Sequence, residues 1–294
     1  MSLSKAWSSA VTACSNHIGD TATYVLFATI ALKASATYNA VLFHEAAKRG
    51  WWKEYRIQQK YVDTEITNKA VDEKVGMNSI PSLIMLVAPF SVLQYKILQY
   101  AYGFNIHKMP TSALKFWKDF LLLTVAWDAA LFFIHFGLHK IPYLYKTIHK
   151  KHHEFKVVEV SVGGHLTLID HFLMDRLPPL IGMLVAKPDF APMIAFLAFY
   201  YHIASRAHCG YELPWDPLNW FMPYVRNHDY HHENTHSNYQ TLFFYLDYIV
   251  DGFGKGNRNF WKVTADRREA ARQGKLVVEK PKFVGTEEDV PEEL

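Results

Sequence analysis

Long apolar stretches alternate with strongly charged ones along this chain. Residues 21–43 (TATYVLFATIALKASATYNAVLF) contain Lys33 as their one charge, and residues 79–104 (SIPSLIMLVAPFSVLQYKILQYAYGF) contain Lys96. Each reaches the ~20 residues that a helix needs to cross a bilayer. A third apolar run covers 120–138. The fourth, 177–204, is interrupted by Lys187, Pro188 and Asp189, and a proline there predicts a helical hairpin or two tilted helices rather than one straight span. The pattern predicts an all-α integral membrane protein with about four transmembrane helices.

Composition alone would not suggest this, since 50% of the 294 residues are hydrophobic and 20% charged; the segregation of the two is what matters. Basic residues set the orientation. Lys48, Arg49, Lys53, Arg56, Lys60, Lys69 and Lys74 follow the first run, whereas His107, Lys108 and Lys115 follow the second, so the first loop is expected in the cytosol and the second in the lumen. Counting onward, 140–176 and everything after about 205 share the cytosolic face. The N-terminus lacks a basic segment followed by an early apolar one, so no cleavable signal is expected. A net charge of +3, thinly spread, gives no reason to expect nucleic acid. Cys14 and Cys209 suggest neither a disulfide framework nor a cysteine zinc site. Three regions follow: a membrane region with two spans and a basic loop over 1–117, a catalytic domain over 118–260, and a polar tail over 261–294 expected to hold a short helix and a loosely ordered end.

Candidate chemistry lies in the histidines, of which there are sixteen. His135 and His139 are four apart at the end of the third apolar run. His149, His152 and His153 follow as H-x-x-H-H, and His228, His231 and His232 repeat that spacing. Offsets of three and four residues share one helix face, which lets imidazoles converge on an ion without bending the backbone. About four nitrogens satisfy one four-coordinate ion, so eight point to two. Imidazole alone leaves iron, zinc, copper and nickel open.

The order, spacing and flanks of these boxes, over roughly 118–255, resemble the membrane-bound fatty acid hydroxylase superfamily, which includes sterol desaturases, 4-methylsterol oxidases and cholesterol 25-hydroxylases. The link IPYLYKTIHKKHH and the third box with its trailing Asn238-Tyr239 are similar to the sterol branch, as is AHCGYELPW, in which His208 precedes Gly210 and Tyr211 and Pro214 precedes Trp215. Cys209 stands where those relatives have serine, and His165 is followed by Leu166 where many have His-Pro. The resemblance implies a cytosolic histidine-rich cap holding a dimetal centre of two irons, with O2 as co-substrate, and it adds His208 as a ligand. Asp128 matches a carboxylate of that branch, and an ionisable group inside a span is usually functional; it is expected to orient an imidazole on a neighbouring helix. His165 and Asn238 are expected as ligands or as supports of ligands, and Asp247 as a support.

The activity implied is oxidation of an unactivated C–H bond in a sterol, by hydroxylation or repeated oxidation. The alternatives are a fatty-acyl or other lipid hydroxylase or desaturase, and a metal-handling or lipid-binding membrane protein without catalysis. No haem, flavin, nicotinamide or iron–sulfur motif is present in the sequence, so electrons are expected from a cytochrome b5-type donor and its reductase, received at a basic rim of Lys140, Lys146, Lys150 and Lys151. The resemblance implies the endoplasmic reticulum. The aromatic runs are expected to pack the bundle and line the membrane interface.

Overall fold

Helix α1 (Leu3–Ile18) leads into α2 (Asp20–Arg49), which Gly50 ends in the left-handed conformation at φ 66°. The computed structural model describes residues 3–58 and 87–250, with single positions at 262, 266, 269 and 273. Lys60, Lys69, Lys74, the beginning of the second apolar run and nearly all of the polar tail lie outside the described residues. Helix α3 occupies 87–102. Then come α4 (Ala113–Lys140), the short α5 (Pro142–Leu144) and α6 (Leu168–Asp170), α7 (Leu177–Ala186), α8 (Phe190–Ala207), α9 (Pro217–Phe221), α10 (Tyr224–Asn234) and α11 (Tyr245–Val250). The described residues form helices and turns with no strand; Arg56 and Tyr211 make an isolated bridge.

Helices α2 and α4 are long and apolar enough to cross a membrane. Their outward faces argue the same way. Leu121, Val125 and Phe133 of α4, and Leu26, Ile30 and Val41 of α2, are exposed, whereas Asp128, His135 and His139 point inward. Apolar outside and polar inside suits a helix solvated by lipid. The fourth apolar run divides where expected: Lys187 takes a left-handed conformation at φ 48° and separates α7 from α8.

Helix α4 packs between α7 and α8, α2 lies along α8, and α1 lies on α2. Gly182 lets α7 approach closely, because a Cβ there would stand 3.1 Å from Leu123 Cδ1 and 3.2 Å from the Trp127 nitrogen. Asn39 Nδ2 ties α2 to α8 by donating to Ser205 Oγ at 2.7 Å and His202 O at 3.2 Å. Tyr24 donates to Gln94 at 2.7 Å and so links α2 to α3. At the early end of α4, buried Asp119 and Asp189 are joined through Lys115, which lies 2.8 Å from Asp189; Lys108 lies 3.3 Å from it. Helix α1 was not expected from the sequence, although Trp7, Val11 and Cys14 at helical spacing announce it; Trp7 packs on Phe27 at 5.2 Å.

Beyond Lys140 the regular bundle ends. Pro142 follows Ile141, and the chain enters a π turn at Tyr145–His149 and a 3-10 turn at His152–Glu154. The segment after α2 crosses to support this cap. Ile57 N donates to Gly210 O at 2.9 Å, Glu212 N donates to Tyr55 O at 2.9 Å, and Arg56 pairs with buried Glu159. Asp128 holds the other side. Its carboxylate accepts from Gln240 Nε2 at 2.6 Å, Leu242 N at 2.9 Å and Phe243 N at 3.3 Å. Asp128→Ala leaves these buried donors without their acceptor, each worth about 1–3 kcal/mol. The variant is expected to unfold at lower temperature than wild type in a detergent thermal melt, whereas Lys118→Ala leaves the midpoint unchanged.

Candidate metal centre

The cap gathers nine histidines into two buried groups. His135, His139, His149, His153 and His231 form one, and His152, His208, His228 and His232 form the other; within each, one nitrogen per ring lies within 4.8 Å of all the rest. The split within each H-x-x-H-H box differs from the sequence expectation of one converging face, whereas His135 and His139 stay together. His149 and His153 join the first group while His152 turns to the second. His228 and His232 join the second while His231 turns to the first. Neighbouring residues point in different directions in any helical turn, so H-x-x-H-H reaches both groups.

Orientation comes mostly from backbone carbonyls. His135 Nδ1 donates to Tyr239 O at 2.7 Å, His231 Nδ1 to Ser237 O at 2.7 Å, His208 Nδ1 to Ala204 O at 2.8 Å and His232 Nδ1 to Phe155 O at 3.3 Å. His149 Nδ1 instead donates to Asp170, 3.0 Å from both carboxylate oxygens. An Nδ1–H fixed outward leaves the Nε2 lone pair facing inward. Burial keeps these rings neutral: His152, His153, His228 and His232 are held well below the usual histidine range, His208 falls to about 4 and His231 to about 3.

The inward nitrogens crowd together. His135 and His139 approach at 3.2 Å, His149 and His153 at 3.1 Å, His153 and His231 at 3.2 Å, His152 and His208 at 3.3 Å, and His208 and His228 at 2.9 Å, all through Nε2. Ligands bound at about 2.1 Å stand about 3.0–3.4 Å apart around one ion. His232 Nε2 is buried with no donor to accept from. A cation in each group satisfies both observations, and a nitrogen-only ligand set suits a transition metal rather than calcium or magnesium.

The remaining sequence candidates lie outside both groups. Asp128 meets no ligand imidazole; its oxygens face the chain at 240–243, so it supports His135 only by way of the segment that carries Tyr239. Asn238 takes a left-handed conformation at φ 61° and donates to Asn227 O at 3.4 Å, closing the reversal after α10. His165 stands 2.8 Å from Glu154 and packs on Phe155. Among the lysines of the expected basic rim, Lys151 donates to Leu166 O at 2.9 Å and Lys140 lies over Phe136 and Tyr239.

Two supports, Asp170 and Gly163, were missed in the sequence, whereas Asp247 was expected there. Asp170 had a visible sign, the Thr-x-x-Asp start of α6, where Thr167 accepts from Asp170 N at 3.1 Å. Asp247 accepts from the Tyr239 and Gln240 nitrogens at 2.7 and 2.8 Å. Gly163 lies so near His208 that a Cβ would stand 3.0 Å from the ring.

A cavity of about 440 Å3 opens beside the second group, with His152, His208 and His228 in its wall. Ala36 and Ala40 of α2, Leu131 of α4 and Ala204 of α8 line it further. Tyr211, Pro214 and Trp215 do not. Trp215 packs on Trp52 and Tyr55, and Tyr211 on Phe43, so this motif braces the cap against α2.

The profile of the family described as Fatty acid hydroxylase matches residues 120–252. Fatty acid hydroxylase ahd1 of Mycosarcoma maydis is 23% identical over 261 residues, 86% of this chain and 63% of that protein. Methylsterol monooxygenase erg25B of Aspergillus fumigatus is 29% identical over 69% of this chain and 72% of its own length. Sphingolipid C4-hydroxylase SUR2 of Saccharomyces cerevisiae is 29% identical over 58% of this chain, and the match spans 50% of its length. The chain thus spans less than two thirds of the first and third of these relatives. No solved structure matches.

Two substitutions test the supports. Asp170→Asn is expected to weaken metal retention about 10- to 100-fold, as loss of an outer partner of a ligand does, measured by competition with a chromogenic chelator. Gly163→Ala pushes on His208 and is expected to lower bound metal toward about one ion per chain, read by elemental analysis, with helicity unchanged by circular dichroism.

Proposed function

We propose that this chain, matched over residues 120–252 by the fatty acid hydroxylase family, is a member of that family and a membrane-bound, di-iron, O2-dependent oxidoreductase acting on a C–H bond of a lipid. The observation that carries the reading is the meeting of a largely apolar cavity, at His152, His208 and His228, with one of two neighbouring buried histidine groups. A cavity of that size falls in the range that takes a lipid-sized ligand. When bound, the two irons supply O2 reduction and the oxidising power for the C–H bond. Each hydroxylation consumes O2, two electrons and two protons, replaces C–H by C–OH and releases water.

The chain's own residues do the remainder. His135, His139, His149, His153 and His231 hold one ion and His152, His208, His228 and His232 the other, with His135, His149, His208, His231 and His232 each fixed by the acceptor on its far nitrogen. Leu131, Ala36 and Ala40 present apolar surface that excludes water and positions a hydrocarbon beside the centre. Electrons arrive from outside, from a cytochrome b5-type donor and its reductase; Lys146 and Lys150 at the surface turn after α4 are suited to an acidic protein face. The first basic loop and the boxes lie on the cytosolic side of the endoplasmic reticulum membrane under the same reading, with four spans formed by α2, α3, α4 and the α7–α8 hairpin.

A sterol is the leading substrate, by the likeness of the His208–Trp215 segment to the sterol branch and by the methylsterol monooxygenase relative. An acyl or sphingoid lipid is the second reading, favoured by the placement of Tyr211, Pro214 and Trp215 in a brace away from the cavity and by the sphingolipid hydroxylase relative.

Elemental analysis of detergent-purified protein expressed with ample iron is expected to find about two irons per chain. His231→Ala with His232→Ala removes one ligand from each group and is expected to lose most of both. Turnover with reduced cytochrome b5, followed by mass spectrometry for a gain of one oxygen, then separates sterol from sphingoid substrates. A well-folded protein without bound metal would overturn the reading.

A further inference from the structure

The two histidine groups are not equivalent, and four observations separate them. The cavity touches His152, His208 and His228 of the four-histidine group and none of the five. The five-histidine group is closed in: His135, His149, His153 and His231 are each 0% exposed. The Tyr239 and Tyr145 rings cover its fifth member, His139, at 5.1 and 5.2 Å. Ligand number adds to this, because five imidazoles leave a six-coordinate ion one further position and four leave two, and sites that do chemistry keep positions open. Finally, His149 in the closed group is, among the described residues, the one member of either group whose outer nitrogen faces a carboxylate, Asp170. That carboxylate fixes the orientation of the ring and so strengthens the hold on its ion.

We propose that the ion held by His152, His208, His228 and His232 is the one that faces substrate and takes up small exogenous ligands, while the ion of the five-histidine group is enclosed and does not exchange its ligands with the cavity. This rests on the metal-dependent reading above and assigns unequal parts to its two ions.

Azide titrated into the cobalt(II)-loaded protein, followed by visible absorption, tests it without turnover. With about two cobalt ions per chain, azide is expected to shift about half of the cobalt absorption. His208→Ala is expected to keep about one cobalt and to lose the azide shift. Ala204→Trp fills the cavity wall while leaving the carbonyl that holds His208, and is expected to keep both ions and to weaken azide more than about tenfold. Ala36→Trp repeats that obstruction from α2 if Ala204→Trp does not fold.

Three outcomes overturn the assignment: a shift of all the cobalt, no shift in wild type, or a shift that survives His208→Ala and the blocked cavity but is lost in His135→Ala. A folded wild type that takes up no cobalt overturns the metal-dependent reading along with it, which distinguishes the two failures.

Discussion

A neutral imidazole carries one N–H proton, and the cap is organised around where each ligand ring can place it. Carbonyls of Tyr239, Ser237, Ala204 and Phe155 and the carboxylate of Asp170 take Nδ1–H from five rings, so five Nε2 lone pairs are turned inward. Burial removes the alternative of protonating the rings further. Lone pairs brought this close repel one another unless a cation lies between them, so ion and cap stabilise each other. Nothing in the long apolar helices requires that arrangement; they supply a frame to which it is fastened.

The carbonyls must themselves be placed, and local conformation does this. Helix α10 ends at Thr235, whose φ of 59° turns the chain back, and Asn238 at φ 61° completes the reversal. Ser237 O is thereby returned to His231 and Tyr239 O is carried across to His135. Asp247 and Asp128 then hold the following segment from two sides by its backbone nitrogens. Carboxylates used in this way spend their charge on the main chain, which explains how two buried acids can serve the centre without touching it.

What could be read in advance follows the range of the interactions. Helix α2, the α7–α8 break and the eight box histidines rest on signals within a few residues: apolar runs, a proline, an imidazole spacing; His208 came instead from the resemblance carried by AHCGYELPW. The α1 helix was equally local, and its signal was overlooked beside stronger apolar runs. The division of the two H-x-x-H-H boxes follows from helical angle, but which rings meet across the chain depends on the π and 3-10 turns after Pro142 and on how α10 lies against them, and no spacing rule contains that. Asp128 illustrates the same limit. Its position inside a span marks it as consequential, but its partners are more than a hundred residues away, and the expected contact with an imidazole is a contact with backbone instead. The Tyr211–Trp215 motif was visible as a motif, whereas its packing on Trp52, Tyr55 and Phe43 came from a segment outside the histidine boxes.

The divided boxes also bear on how such a chain can change length. His231 and His232 differ by about 100° around α10, and that difference sends one ring to each ion. Inserting or deleting one residue inside the box would rotate every ring beyond it by the same angle and exchange or misdirect ligands in both groups at once. Residues between the boxes face no such requirement except where they carry an acceptor of a ligand ring, as Phe155, Asp170 and Ala204 do. Variation in length should therefore accumulate away from those acceptors, at 187–189 and 212–222, while the cavity wall can be reshaped by substitution for a different hydrocarbon with the two ions keeping their places.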